Sequence, residues 1–249
     1  MSSTDHHGHF FTTPDLLTDT TVYLRGPDAH HLRVRRAKQG DRIHVGDGAG
    51  RLVEAIIFTS TGAEVTATVS EITVIPPPAP RLTVFQGLAK SDKVDWVVEK
   101  LVELGVDEIV IFAAGRSVPV WGADKAKTVR LRWERVAYAA SKQSRRAWLP
   151  VVTGPLDRKE LLERMKSMPA VLVADPQAGA SLGAALMDLG KVAEVGIVVG
   201  PEGGLSREEI AMLIDRGARP VSLGAQILRT ETAGLALSAV VMHHLNRFG

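Results

Sequence analysis

The residues with most chemical content lie in the last quarter of the chain. Ile197-Val198-Val199 runs into Gly200-Pro201-Glu202-Gly203-Gly204-Leu205-Ser206. Further on, Ser222-Leu223-Gly224 leads into Ala225-Gln226-Ile227-Leu228-Arg229-Thr230-Glu231-Thr232-Ala233. Each stretch reads as a strand that ends in a glycine-bearing turn and opens onto a helix. Loops this poor in side chains leave backbone N–H and C=O groups free to grip a flat ligand. Open α/β sheets bind ligands at this edge, and the two loops are expected at the ends of neighbouring strands. Neither loop is a phosphate cradle of the usual kinds. Gly-Lys followed by Ser or Thr does not occur, and Gly-Pro-Glu-Gly-Gly does not fit the G-x-G-x-x-G spacing. Nucleotide hydrolysis and hydride transfer are therefore disfavoured. The chain has no cysteine, which excludes disulfides, thiol catalysis and thiolate metal sites.

The elements that must position these loops are legible around them. Ser206 and Glu209 form a capping box that starts a helix, Ile210, Leu213 and Ile214 give it an apolar face, and Gly217 is placed to end it. A buried strand is expected at 221–223. The last helix should begin at Glu231 and Thr232 and run through Leu235, Leu237, Val240 and Val241. Upstream, strands at 82–86, 109–112, near 151, 170–174 and 195–199 alternate with helices at 94–105, 123–142, 158–166 and 181–189. That alternation predicts an α/β domain with a mainly parallel sheet.

Pro76-Pro77-Pro78-Ala79-Pro80 breaks the pattern, since four prolines in five residues form neither helix nor central strand. The boundaries that follow are 1–75 for a first domain, 76–81 for a proline-rich linker and 82–249 for the α/β domain. The first domain reads as short strands at 22–24, 42–45, 52–57 and 64–69 with glycine turns between them. One helix is expected around 30–37, so the whole suggests a small β-barrel. The polar, histidine-rich start, His6-His7-Gly8-His9, reads as a mobile tail.

A chain of 249 residues with 45% hydrophobic and 23% charged residues has the balance of an ordinary globular protein. No run is long enough for a membrane helix and the start lacks a signal-peptide core, so the expected location is cytoplasmic. The net charge is only +2, so any polyanion would have to be met locally. Arg33, Arg35, Arg36 and Lys38 form one basic cluster. Arg130, Arg132, Arg135, Lys142, Arg145 and Arg146 form another, interleaved with Trp133, Tyr138 and Trp148. Each could be a solvated face; together they favour contact with a nucleic-acid backbone.

Taken together, these residues resemble the SPOUT-class methyltransferases, and more narrowly the bacterial 16S ribosomal RNA uridine-N3 methyltransferase family. The resemblance is carried by Val199 to Gly204 paired with Leu223-Gly224, Ile227-Leu228-Arg229 and Glu231-Thr232-Ala233. Further matches are His30-His31-Leu32, Gly46-Asp47-Gly48, Lys90-Ser91-Asp92-Lys93, Glu99-Lys100, Glu103-Leu104-Gly105, Arg116-Ser117, Arg132-Trp133 and Gln143-Ser144 with Arg146. It covers nearly the whole chain in order. One departure is Ala139, where the family often has a glutamate, so that helix position is given no catalytic part.

The resemblance implies a PUA-like RNA-binding barrel followed by a SPOUT-type parallel sheet with a trefoil knot. It also implies a homodimer and S-adenosylmethionine as cofactor, with no metal. The expected partner is 16S ribosomal RNA or the assembled small subunit, and no membrane. The cofactor would be held by Val199, Gly200, Gly203, Leu223, Gly224, Ile227, Leu228, Thr232 and Ala233, with the adenine near Leu223, Ile227 and Leu228. Methylating uridine N3 requires removal of its proton, with charge spreading to O2 and O4. Arg229 is the candidate for holding the uridine or its phosphate; bracing a loop through Glu231 or Glu202 is the alternative. Glu202 and Glu231 are candidate bases or orienting groups, and Glu231 could instead stabilise a helix N-terminus. Arg33, Arg35, Arg36, Arg132, Arg145 and Arg146 are the candidate RNA contacts. Two other readings remain: a related methyltransferase acting on another RNA position or a ribose 2′-hydroxyl, and a non-catalytic RNA-binding protein.

Overall fold

The structure is a computed structural model that describes residues 6–61, 63–89, 91–115 and 122–248. Lys90, Arg116 and Ser117 of the resemblance lie outside the described residues. The chain divides into two compact units: Met1–Pro78 with Ser141–Leu149, and Ala79–Ala140 with Pro150–Gly249.

In the first unit, β1 (His6–Phe11), β2 (Thr21–Arg25), β3 (Arg42–Gly46), β4 (Arg51–Ser60) and β5 (Glu64–Val74) form a sheet in the order β1-β3-β4-β5-β2. Alternate residues face inward, as the pleat requires. Ile43, Val45, Val53, Ala55, Ile57, Val65 and Ala67 are buried together against Leu32 of α1 (Gly26–Val34). Two expectations are corrected here. The histidine-rich start is no free tail: it is β1, paired in parallel with β3, and His9 is buried. The adjoining Phe10 and Phe11 supply the apolar anchor, and both are buried in turn. The helix also lies earlier than 30–37. Pro27 fits the first turn, where its missing N–H costs nothing, and Arg36 leaves the helix at φ 58° while the Ala37 amide closes back on Leu32 O.

Residues 141–149, assigned from sequence to the α/β domain, are counted with this first unit. Local bonds show why. Lys142 Nζ donates to the buried Asp28 at 2.8 Å, Trp148 Nε1 donates to Ile75 O at 3.0 Å, and the Gly50 amide donates to Ala147 O.

The second unit is α/β. Its sheet runs β11-β9-β10-β6-β7-β8, and every pair is parallel. The strands are β6 (Arg81–Gly87), β7 (Glu108–Phe112), β8 (Val151–Leu156), β9 (Val171–Ala174), β10 (Glu194–Val199) and β11 (Ala218–Val221). Their continuous apolar runs suit strands covered on both faces. One face packs on α2 (Ser91–Leu104), α3 (Ala123–Gln143), α5 (Leu182–Met187) and α7 (Thr230–His244), with Trp133 and Leu237 fully buried. The other packs on α4 (Arg158–Met165) and α6 (Arg207–Ile214) around Phe85, Phe112 and Leu213.

The alternation of strands and helices expected for this region is present throughout, with small shifts. The strand expected at 221–223 ends at Val221, because Ser222 makes only an isolated bridge to Ser181. Ile214, expected on the inner face of α6, is exposed at its end. The loops after β10 and β11 are not on neighbouring strands: β9 lies between them and adds a third loop.

Candidate functional site

All three of these loops leave the C-terminal ends of parallel strands, and they enclose one cavity of about 730 Å³. Residues 199–205 come from the β10 loop, 223, 224 and 226–230 from the β11 loop, and 174–177 from the loop after β9. The volume falls in the range of small-molecule sites, roughly 300 to 1,000 Å³.

Local sequence fixes the β10 loop at both ends. At its far end the expected capping box is present: the Glu209 amide donates to Ser206 Oγ, and the Ser206 amide donates to Glu209 Oε2. The other oxygen of this buried carboxylate accepts from the Gly115 amide at 2.7 Å, so Glu209 also anchors the segment after β7. At its near end the loop presses on β6. A Cβ on Gly87 would lie 2.4 Å from Pro201 N, closer than any side chain tolerates.

A buried relay, invisible in the sequence, joins the loop to the last helix. Gln86 Nε2 donates to Thr230 Oγ1 at 2.8 Å, and Thr230 Oγ1 donates to Gly200 O. Gln86 and Thr230 are 144 positions apart, so only the strand order brings them together. Both are buried, and the relay satisfies a loop carbonyl at the cavity wall.

Arg229 does not brace a loop through Glu202 or Glu231. It lines the cavity, is exposed, and makes no ion pair among the described residues. Lys93, in the first turn of α2, pairs with both carboxylates. Its Nζ lies 3.3 Å from Glu202 Oε1 and 3.7 Å from Glu231 Oε2. Glu202 and Lys93 line the cavity; Glu231 stands just behind, in the first turn of α7. A second acidic group, Asp175, is buried at the cavity wall and held by Arg207 at 2.9 Å.

The expected cofactor residues are mostly gathered here. Val199, Gly200, Gly203, Leu223, Gly224, Ile227, Leu228 and Ala233 all line the cavity. Leu223 and Leu228 pack on the core, whereas Ile227 is 84% exposed and stands at the rim. Thr232 is exposed and is not among the lining residues. Sequence reasoning missed Gln86, Lys93 as a site residue, Asp175 and Arg207. Lys93 closes the Lys90-Ser91-Asp92-Lys93 stretch, but nothing local pairs it with residues more than a hundred positions away.

The expected RNA contacts fall in both units. Arg33, Arg35, Arg36, Arg145 and Arg146 belong to the first unit, and Arg132 belongs to the second, where it pairs with Asp95. Arg33 Nη2 lies 2.6 Å from His30 Nδ1, and Arg146 Nε donates to Trp148 O at 3.0 Å. Arg33, Arg35, Arg36 and Arg145 are exposed.

Chemically, this cavity offers apolar walls, loops poor in side chains, carboxylates and an exposed guanidinium. It suits a ligand with a flat ring and a cationic centre. Comparisons with known proteins agree. Residues 76–242 match the model of an RNA methyltransferase domain, and residues 24–72 match that of an RNA methyltransferase PUA domain. Ribosomal RNA small subunit methyltransferase E of Mycobacterium bovis is 35% identical over 92% of this chain and 88% of its own length. The protein of that name from Bacillus subtilis is 33% identical over 88% and 89%. The crystal structure of the Neisseria gonorrhoeae enzyme of that name, bound to S-adenosyl methionine, superposes with a TM-score of 0.84 at 27% identity. The match covers 96% of this chain and 98% of that one.

Proposed function

Because this chain belongs to the ribosomal RNA small subunit methyltransferase E family, we infer that it moves the methyl group of S-adenosylmethionine onto N3 of a uridine in 16S ribosomal RNA. One observation of its own carries this reading. The two glycine-bearing loops join the loop after β9 in a single cavity, with Lys93, Glu202 and Arg229 at its wall.

The cavity suits the cofactor. Leu223 and Leu228 offer an apolar slot for adenine, and Gly200 and Gly203 line the cavity with backbone rather than side chains. Glu202 and Asp175 supply negative charge for a sulfonium and an ammonium group. A wall of this kind needs no metal ion. When bound, the cofactor supplies an electrophilic methyl group. The protein's share is to hold the uridine in line with it, take the N3 proton and stabilise the charge left on O2 and O4. Glu202 or Glu231 takes the proton. Arg229 holds the uridine or its phosphate, since its guanidinium is unpaired among the described residues and offers planar donors.

In the first unit Arg33, Arg35, Arg36, Arg145 and Arg146 contact the RNA backbone, and in the second unit Arg132 does. The same inference extends to a SPOUT-type trefoil knot in the second unit, a homodimer, action in the cytoplasm, and 16S ribosomal RNA or the assembled small subunit as partner. No helix among the described residues is long and apolar enough to cross a membrane.

Calorimetric titration with S-adenosylmethionine tests the site. Saturable binding that disappears in Gly203→Trp, with the fold intact by circular dichroism, is expected. A Gly203→Trp protein that still binds at full affinity would place the cofactor elsewhere.

A further inference from the structure

The ion pairs around Lys93 leave an arithmetic to be explained. Two carboxylates from separate elements, Glu202 and Glu231, converge on one ammonium group at 3.3 and 3.7 Å. These are the carboxylates within 4.0 Å of Lys93 Nζ among the described residues. Arg229 lines the same cavity and is tied to neither carboxylate. The Lys93 side chain is about one-third exposed, so the cluster lies at the cavity wall and within reach of a ligand. An ammonium shared between two carboxylates need not remain so once one of them takes up a proton. Neutralising either carboxylate frees Lys93 to pair with new negative charge beside it.

We propose that Lys93 is the catalytic cation that stabilises the uridine anion formed when N3 loses its proton. This assignment rests on the uridine-N3 reading above. The N3–H bond breaks and the proton passes to Glu202 or Glu231. The electron pair left behind is shared among N3, O2 and O4, and Lys93 Nζ–H donates to whichever oxygen lies beside it. The pair on N3 then forms the bond to the methyl carbon, while the carbon–sulfur bond breaks and its electrons stay on sulfur as a neutral thioether. The carbonyl oxygen returns to neutral, Lys93 returns to the carboxylates, and the proton leaves to solvent. Proton uptake and charge stabilisation are thus coupled at one point, because the group that accepts the proton is the group that was holding the cation.

A merely structural lysine would be needed equally at every pH and for every substrate. A cation for the imide anion is needed least when the base ionises easily. The test compares wild type, Lys93→Met and Lys93→Arg on 16S-derived RNA carrying uridine or the more acidic 5-fluorouridine at the target. Product is read by nucleoside mass spectrometry, and RNA affinity is read separately without cofactor. Lys93→Met is expected to lose about 100-fold in turnover at neutral pH, the size of one lost oxyanion donor. It should recover part of that loss as pH rises and part on 5-fluorouridine, with cofactor affinity unchanged. Lys93→Arg keeps the charge and is expected to retain most activity with the wild-type pH profile. Wild type should bind the 5-fluorouridine RNA more tightly than the uridine RNA, and Lys93→Met should not.

A loss in Lys93→Met that is the same at all pH values and on both RNAs would overturn the assignment, as would undiminished turnover. Should Lys93→Met fail to fold, loss of activity in a folded Lys93→Arg with an unshifted pH profile would overturn it too. Wild type that yields no N3-methyluridine from either RNA would remove the reading beneath it, an outcome distinct from these.

Discussion

Arg229 and Thr230 are consecutive residues with opposite expected behaviour. Arg229 is exposed at the cavity and serves the substrate. Arg229→Ala should therefore leave S-adenosylmethionine affinity near normal while turnover drops about 100-fold, the scale of a lost charge-assisted donor. Calorimetry beside a methyl-transfer assay checks this, and unchanged turnover would remove Arg229 from the mechanism. Thr230 is buried and serves the scaffold, linking Gln86 to the Gly200 carbonyl. Thr230→Val keeps the shape but strands both partners. It should cost about 2 kcal/mol of stability in denaturant unfolding and weaken cofactor binding. The residues with local signatures were legible in the sequence: Ser206 with Glu209, and the glycines of both loops. Gln86, Thr230 and Lys93 as partners were not, because their meaning comes from contacts across more than a hundred positions.

Among the elements, β1 shows best what a sequence reading misses. A run of histidines looks polar and mobile, yet one strand pairing and two phenylalanines are enough to order it. The consequence is a pH dependence. Burial lowers the His9 pKa to about 4, with nearby His44 contributing, against an ordinary value of 6.5. The unfolded chain therefore binds the proton more readily than the folded one. Stability should be full above pH 6.5 and decline as pH falls towards 4, by up to about 3 kcal/mol. Denaturant unfolding of wild type and His9→Gln across that window checks it; the variant's own curve should be flatter. The α/β elements were read closely because each carries its own signal: the 3.6-residue period of α2, the capping box of α6, the apolar run of β10. Strand order was not read. It places β9 between β10 and β11, and so brings Asp175 into the cavity wall.

For the whole molecule, a net charge of +2 is too small to draw RNA by itself, so binding must depend on where the arginines lie. Replacing Arg33, Arg35 and Arg36 together by Gln should weaken RNA binding and lower the salt dependence of log K by roughly 2. Cofactor affinity should stay unchanged. A filter-binding series in rising salt checks this; an unchanged slope would take these arginines off the RNA backbone. The division into a β-rich first unit and an α/β second unit was legible from the prolines at 76–80 and the change of periodicity. That 141–149 is counted with the first unit was not, since its ties to Asp28 and Ile75 are tertiary. The most direct test of the account is to incubate the purified protein with unmodified 16S ribosomal RNA or small subunits and isotope-labelled S-adenosylmethionine, then digest to nucleosides for mass spectrometry. The label is predicted in N3-methyluridine; label in a 2′-O-methyl nucleoside or in another base would contradict it.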